Sequence, residues 1–412
     1  MTPMTPERHE EFLATLALRN STGLGPRTWK KILEHFGRAD LAVEQAGQWN
    51  DLGLANKNQL RDFLAKSWRE TTDQEAEAAL NKGMDTLLWS DQDYPSILRQ
   101  IPNPPALLYL AGDRSLFGSP ALAMVGSRKC SRYGLEAVRR ISRDVSRAGV
   151  CVVSGFAAGI DRQAHAAALE EVGSSIAVLG TGLDLLYPAA NKDLWLRLRR
   201  EGLIVTEFAP GVRPDAVNFP HRNRIISGLS LGVVVIEAAV RSGSLITAAT
   251  ALEQGREVFA LPGPVNMESY SGCHHLIRQG ATLVQTADDV LAELRPILVA
   301  RGIADADVPA PLPDSKPSLR PEVSGALSVR RPETASSPGN PGTASDLDRW
   351  IGLNKDELRL VMLLDERGKM HIDALCNALG QNPAQVGTNL LLLEMRSLVM
   401  QYPGMYYSLC GK

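Results

Sequence analysis

Cations gathered beside small residues mark the stretch Gly126-Ser127-Arg128-Lys129-Cys130-Ser131-Arg132-Tyr133-Gly134. Gly126 and Ser127 let a phosphate approach the backbone. A helix beginning just after them would offer free N–H groups and the positive end of its dipole. Arg128, Lys129 and Arg132 place three cations within five residues. A tight strand-to-helix turn needs the glycine but not that charge, so anion binding is the chemistry expected here.

Two further stretches share this character. Phe219-Pro220-His221-Arg222-Asn223-Arg224-Ile225-Ile226-Ser227 puts two arginines, an Asn and a His at the opening of a helix. Arg222 and Arg224 suit the forked geometry of phosphate recognition, and Phe219 suits stacking on an unpaired base. The competing reading makes both arginines internal partners of Glu207 and Glu237. Ser242-Gly243-Ser244 then forms another small-residue helix start with backbone donors.

Catalysis is harder to support. Ser154-Gly155-Phe156-Ala157-Ala158-Gly159-Ile160-Asp161 is rich in glycine but is not the GxGxxG of dinucleotide sites. No acidic residue closes the next strand at the ribose position. Asp161 is expected to cap the following helix, and His165 to pack or hydrogen-bond on it. His274 and His275 are neighbours on one helix and cannot face a common metal ion. With no P-loop, paired carboxylates or nucleophile–base pair, neither cofactor nor metal is expected, and the chain reads as a non-enzyme. The alternative is a Rossmann-like nucleotide-processing hydrolase. Such enzymes carry PGGxGT followed by Glu; here Arg241 to Thr247 is followed by no Glu before Glu253.

These loops need a scaffold that brings them to one edge. Seven short apolar runs recur between residues 81 and 298: Leu122–Val125, Val150–Val153, Ile176–Leu179, Leu203–Thr206, Val233–Ile236, Val258–Leu261 and Ala281–Val284. Continuous apolar strands alternating with amphipathic helices imply an α/β, Rossmann-like parallel sheet buried on both faces. Ligands of such sheets sit beyond the carboxyl ends of the strands. Residues 1–80 read as helical, with Gly23-Leu24-Gly25 before a basic helix resembling a helix-hairpin-helix, or SAM-like, module; Asp51 to Ala55 suggests a degenerate second copy. Residues 299–345, rich in Pro, Ala and Ser, read as a flexible linker.

Residues 346–412 read as a winged helix, with helices at Lys355–Asp365, Ile372–Leu379 and Pro383–Leu398 and a wing turning at Tyr402 to Tyr406. This segment has seven Lys/Arg against eight Asp/Glu, and its third helix offers Arg396 alone. A duplex groove reader carries more cations than that, so protein contact or regulation, or at most weak DNA binding, is the expected role.

Taken in order, Val125-Gly126-Ser127-Arg128, Ser154-Gly155, Gly159-Ile160-Asp161 with His165, Tyr187-Pro188, Phe219-Pro220 with Arg222 to Ile226, Ser242-Gly243-Ser244-Leu245 and Pro262-Gly263 resemble the DprA/Smf family. The resemblance covers about residues 80–295. One departure is His274, where the family has Asn. The resemblance implies a Rossmann-like fold that binds single-stranded DNA, forms a homodimer and helps load the RecA recombinase in natural transformation. It implies a phosphate pocket at Gly126, Ser127, Arg128 and Arg222.

Composition bounds the rest. The net charge of the 412 residues is −2, so any DNA-binding surface is a local patch. Five cysteines show no CxxC or zinc spacing. The longest apolar run, Leu231 to Val240, is too short to span a bilayer, and Met1 to Glu10 has no apolar signal core. A cytoplasmic protein with reduced thiols and no membrane partner is expected.

Overall fold

The structure, a computed structural model, describes residues 5–300 and 355–409, apart from 382, 396–397 and 403–404. Contacts divide the chain into two units, Met1–Pro313 and Asp314–Lys412.

The first unit opens with α1 (Pro6–Asn20), α2 (Pro26–Phe36), α3 (Ala39–Glu44), α4 (Lys57–Leu64) and α5 (Arg69–Asn81). Local chemistry sets several of these starts. Thr5 accepts from the amide of Arg8, with Pro6 just inside α1. Asn56 and Gln59 form a reciprocal capping box at α4.

Then come β1 (Asp85–Leu88), α6 (Ser96–Arg99), β2 (Leu107–Gly112), β3 (Ala121–Val125), α7 (Arg132–Arg147), β4 (Cys151–Ser154), α8 (Ile160–Ala168), β5 (Ser175–Val178), α9 (Lys192–Glu201) and β6 (Leu203–Thr206). They are followed by α10 (Asn218–Gly228), β7 (Gly232–Val235), α11 (Gly243–Glu253), β8 (Glu257–Ala260), α12 (Ser271–Arg278), β9 (Thr282–Leu283) and α13 (Ala287–Ala300).

Among the described residues these strands form one sheet in the order β1-β2-β6-β5-β4-β3-β7-β8-β9. From β6 to β9 all neighbours are parallel, with Ala123 opposite both Val153 and Val233. All seven apolar runs of the sequence lie on these parallel strands. β3 to β7 are buried along their whole length, as helices on both faces require. β1 and β2 extend the sheet in antiparallel fashion beyond β6. The helix between them, α6, is a single four-residue turn, too short to show a helical period, so alternation of strand and helix does not reveal them.

The chain order reverses at β3: β4, β5 and β6 lie to one side, β7, β8 and β9 to the other. Loops leaving β3 and β7 therefore diverge and leave a crevice at their carboxyl ends. On one face, Phe12 and Leu16 of α1 and Ala76 and Ala79 of α5 share an apolar cluster with Leu107, Tyr109 and Ile204 of the sheet. That cluster crosses the boundary drawn at residue 80.

The second unit contains α14 (Lys355–Arg367), β10 (Met370–His371), α15 (Ile372–Leu379), α16 (Pro383–Met395), β11 (Val399–Tyr402) and β12 (Tyr406–Leu409). Its three strands pair in the order β10-β12-β11 around a core that includes Leu360, Leu375, Leu390 and Val399. α14 runs two residues past the expected Asp365, and α16 ends at Met395 rather than Leu398. Val299 and Ala300 belong to α13. The rest of the expected linker, residues 346–354, Arg396, Pro403 and Gly404 lie outside the described residues.

Candidate nucleic-acid interface

A cavity of about 830 Å³ opens at the point where the strand order reverses. Its walls are Gly126, Ser127, Arg128 and Lys129 after β3, Ala157 and Asp161 after β4, Phe219, Arg222 and Asn223 of α10, and Ser242, Gly243 and Ser244 at the start of α11. Ten of the fourteen residues expected to bind thus face one space. Ser154, Gly155, Arg132 and Arg224 do not line it.

Two glycines let the loops after β3 and β4 meet. A Cβ on Gly126 would sit 2.7 Å from Cγ1 of Ile160. Gly159 has φ +80°, and a Cβ there would lie 2.7 Å from the carbonyl oxygen of Arg128. The amide of Ile160 donates to the carbonyl of Ser127 at 3.2 Å, stitching the two loops together.

Glu237, at the end of β7, holds the other side of the Arg128 loop. Its carbonyl accepts from the Ser127 amide at 2.8 Å. Its buried carboxylate accepts from the Ser131 amide at 2.9 Å, the Ser131 hydroxyl at 2.7 Å and the Tyr270 hydroxyl at 3.0 Å. Ser131 in turn caps α7 through the amide of Gly134. Glu237 is therefore not the arginines' partner; it spends its charge on loop donors at the head of α7, where the helix dipole also favours an anion.

Arg222 is 4% exposed. One η-nitrogen donates to the carbonyl oxygen of Val178, and Nε is buried with no protein partner. Burial lowers its pKa to about 10, with Asp161 opposing the drop and Arg128 adding to it. The guanidinium still carries its charge at neutral pH. No carboxylate among the described residues forms an ion pair with it within 4.0 Å. Its guanidinium centre is 5.9 Å from the Phe219 ring and that of Arg128 is 5.0 Å from the same ring. Phe219 thus braces two cations beside one cavity. A Cβ on Gly180 would come within 3.1 Å of that ring, so the absence of one lets the ring seat there.

The four residues off the cavity have other tasks. Arg224 pairs with Glu207, both side chains being mostly buried. This is the internal ion pair weighed against phosphate binding, and it applies to Arg224 alone. Arg132 is exposed and pairs with Glu136 one turn on at 3.0 Å. Ser154 is buried and donates to the carbonyl of Met124 at 2.6 Å. Gly155 backs the guanidinium of Arg222: a Cβ there would sit 2.7 Å from Cζ.

Three expectations need correction. Gly159, not Asp161, is the N-cap of α8, and it makes no side-chain cap. Asp161 lies in the first turn, buried, and accepts from the amide of Ala157 at 3.3 Å. Its pKa is raised by burial against the pull of Arg222 and Arg128. Secondly, the amides of Ser127 and Ser244 are not open donors: one is bound to Glu237 and the other to the Ser242 hydroxyl at 3.2 Å. Arg128, Lys129 and Arg222 are the cations that line the cavity among the described residues. Thirdly, Asp161, Asp215, Tyr187 and Thr247 also line the cavity. Asp215 comes from a loop whose composition signals only a turn, and Tyr187 from the Tyr187-Pro188 step that carries part of the family resemblance. His165 is buried, with Nδ1 2.7 Å from the Ser175 hydroxyl and Nε2 3.3 Å from the Phe156 amide. His274 reaches the carbonyl of Gly263 at 3.0 Å, a loop contact.

The sequence profile described as DNA recombination-mediator protein A matches residues 85–295. The chain belongs to the DNA recombination-mediator protein A family. DNA processing protein DprA of Streptococcus pneumoniae is 48% identical over 203 residues, 49% of this chain and 72% of the relative. Protein Smf of Synechocystis is 32% identical over 414 residues, covering 95% of this chain and 97% of the relative. The X-ray structure of Streptococcus pneumoniae DprA superposes with a TM-score of 0.60 at 39% identity, over 67% of this chain and 95% of that one. Every cavity residue from Val125 to Thr247 falls within the stretch matched to the DprA family profile.

Proposed function

We propose that this chain binds single-stranded DNA without reading its sequence, and that it holds a backbone phosphate in the cavity between Arg128 and Arg222. The observation that supports this most is Arg222: a charged guanidinium, 4% exposed, at the cavity wall with its Nε unpartnered. A buried cation without an ion-pair partner is costly, and an incoming phosphate oxygen would relieve that cost.

Recess favours single strands. A phosphate must leave the line of its neighbours to reach Arg222, which a flexible strand allows and a stiff duplex resists. Cations directed at the backbone carry no base readout. The family's description as a recombination mediator, and relatives named DNA processing protein, agree with a role in handling DNA for recombination. On that basis the bound strand is passed to the RecA recombinase, in natural transformation, by a homodimer in the cytoplasm. Among the described residues no helix is long and apolar enough to cross a membrane.

The reading is non-enzymatic. Burial lowers the His165 pKa to about 3, and both its ring nitrogens have partners away from the cavity. Glu237 is occupied by Ser131 and Tyr270. Neither is placed to activate water on a bound phosphate. The flanking helices α1 to α5 serve as a helix-hairpin-helix-like module. The second unit serves as a winged helix, since three helices with the strand order β10-β12-β11 suit that fold. The test is titration of matched single- and double-stranded oligonucleotides across a salt series. Tight, salt-sensitive preference for the single strand is expected; equal or stronger binding of duplex would overturn the reading.

A further inference from the structure

An acid inside an anion site needs a reason. Asp161 lines the same cavity as Arg128, Lys129 and Arg222, and is 7% exposed. It is neither the cap of α8 nor within 4.0 Å ion-pair distance of any described arginine or lysine. Its carboxylate has the amide of Ala157 as a donor at 3.3 Å.

We infer that Asp161 is a specificity-determining residue that tunes the cavity to the single charge of a phosphodiester and against the double charge of a phosphate monoester. The inference rests on the DNA-binding reading above and adds to it the class of phosphate accepted. Counting the titratable groups that line the cavity, Arg128, Lys129 and Arg222 oppose Asp161 and Asp215. The cations exceed the carboxylates by a single charge. A backbone phosphodiester carries one negative charge and matches that excess. A nucleoside monophosphate or the terminal phosphate of a free nucleotide is close to a dianion at neutral pH.

The dianion meets Asp161 in either of two states. If the carboxylate is ionised, it repels a second negative charge on the ligand as well as the first, and so takes more from the dianion. If it is to be neutral, a proton must be taken up with the ligand. Burial already favours that protonation, while the two arginines resist it. Each route takes back part of what the dianion gains from the three cations, and the cost of stripping water from a double charge, which rises steeply with charge, falls on the dianion too. Free nucleotides would thereby be kept from a site that must stay open to a DNA backbone.

The probes are thymidine 5′-monophosphate and its methyl ester, each displacing a fluorescent oligothymidylate from the full-length protein at pH 7.5. On the wild type the singly charged ester is expected to displace the strand at a concentration about tenfold lower than the monophosphate, despite its smaller charge. Asp161→Asn keeps the side chain's shape and removes its charge. In that variant both ligands bind more tightly, the monophosphate gaining more, so the preference shrinks or reverses. A folded Asp161→Asn protein with the wild-type preference would overturn the inference. So would a wild type that takes the monophosphate at least as well as the ester, a comparison that holds even if the variant does not fold. A wild type that does not retain the oligothymidylate at all would overturn the DNA-binding reading itself.

Discussion

The guanidinium of Arg222 rests against Gly155, so close that a Cβ on the glycine would lie 2.7 Å from Cζ. Gly155 follows β4 and Arg222 sits on α10, so the contact joins the loop after β4 to a helix distant in sequence. Only a residue without a side chain leaves the guanidinium room to reach Val178 and the cavity together.

Gly155→Ala should therefore act as a displaced Arg222. The clash falls on the far end of a long side chain, which can swing away, so the melting temperature should change little. Affinity for oligothymidylate should fall by about 1–3 kcal/mol, as for loss of one charge-assisted phosphate contact. Fluorescence anisotropy beside thermal unfolding checks both. Full affinity in a stable Gly155→Ala protein would show that the position of Arg222 does not matter to binding.

Arg132 and Arg224 separate charge from position. Arg224 is buried against Glu207, and its removal leaves that carboxylate without its cation. Arg224→Ala should lower stability by about 1–3 kcal/mol with no direct loss of a phosphate contact. Arg132 is exposed beside Glu136, and Arg132→Ala should leave stability unchanged and weaken binding only through the general field. Chemical denaturation paired with binding isotherms distinguishes these outcomes from those of Arg222→Ala.

Much of this layout is legible in the sequence for a physical reason. Strands buried on both faces must be apolar throughout, so β3 to β7 stand out as runs, and the loops after them gather at one edge of the sheet. Arg222 and Arg224 show where legibility stops. Two residues apart on a helix, they point in different directions, and nothing local says which one faces the cavity and which faces Glu207. The cage around Glu237 is equally hidden, because it joins Ser131, Glu237 and Tyr270 from distant segments. Asp161 has the sequence position of a helix-start residue, and only the packed structure reveals that it lines the same cavity as Arg128 and Arg222. β1 and β2 escape notice because an antiparallel edge lacks the strand–helix rhythm.

Acid should destabilise the protein in part through His165. Burial, with the Arg222 charge adding to it, lowers the ring's pKa from 6.5 to about 3 in the folded state. Between those values the unfolded chain binds the extra proton, so the stabilisation is complete above about pH 6.5 and is lost as pH falls toward 3. The loss approaches about 1.4 kcal/mol per pH unit for a single group. Asp161, whose pKa is raised, contributes in the opposite sense, its stabilisation fading as pH rises. His165→Gln should flatten the decline of Tm between pH 6.5 and pH 4. An unchanged pH profile in that variant would mean that the ring is not held neutral.

A backbone phosphate held between Arg128 and Arg222 is the proposal on which the other expectations depend. Its most direct measurement is the affinity for oligothymidylate as a function of salt for wild type, Arg128→Ala and Arg222→Ala. The prediction is that each substitution weakens binding by about 1–3 kcal/mol and lowers the slope of log affinity against log salt by about one. Wild-type affinity and slope in both folded variants would contradict it, and would place the DNA elsewhere on the protein.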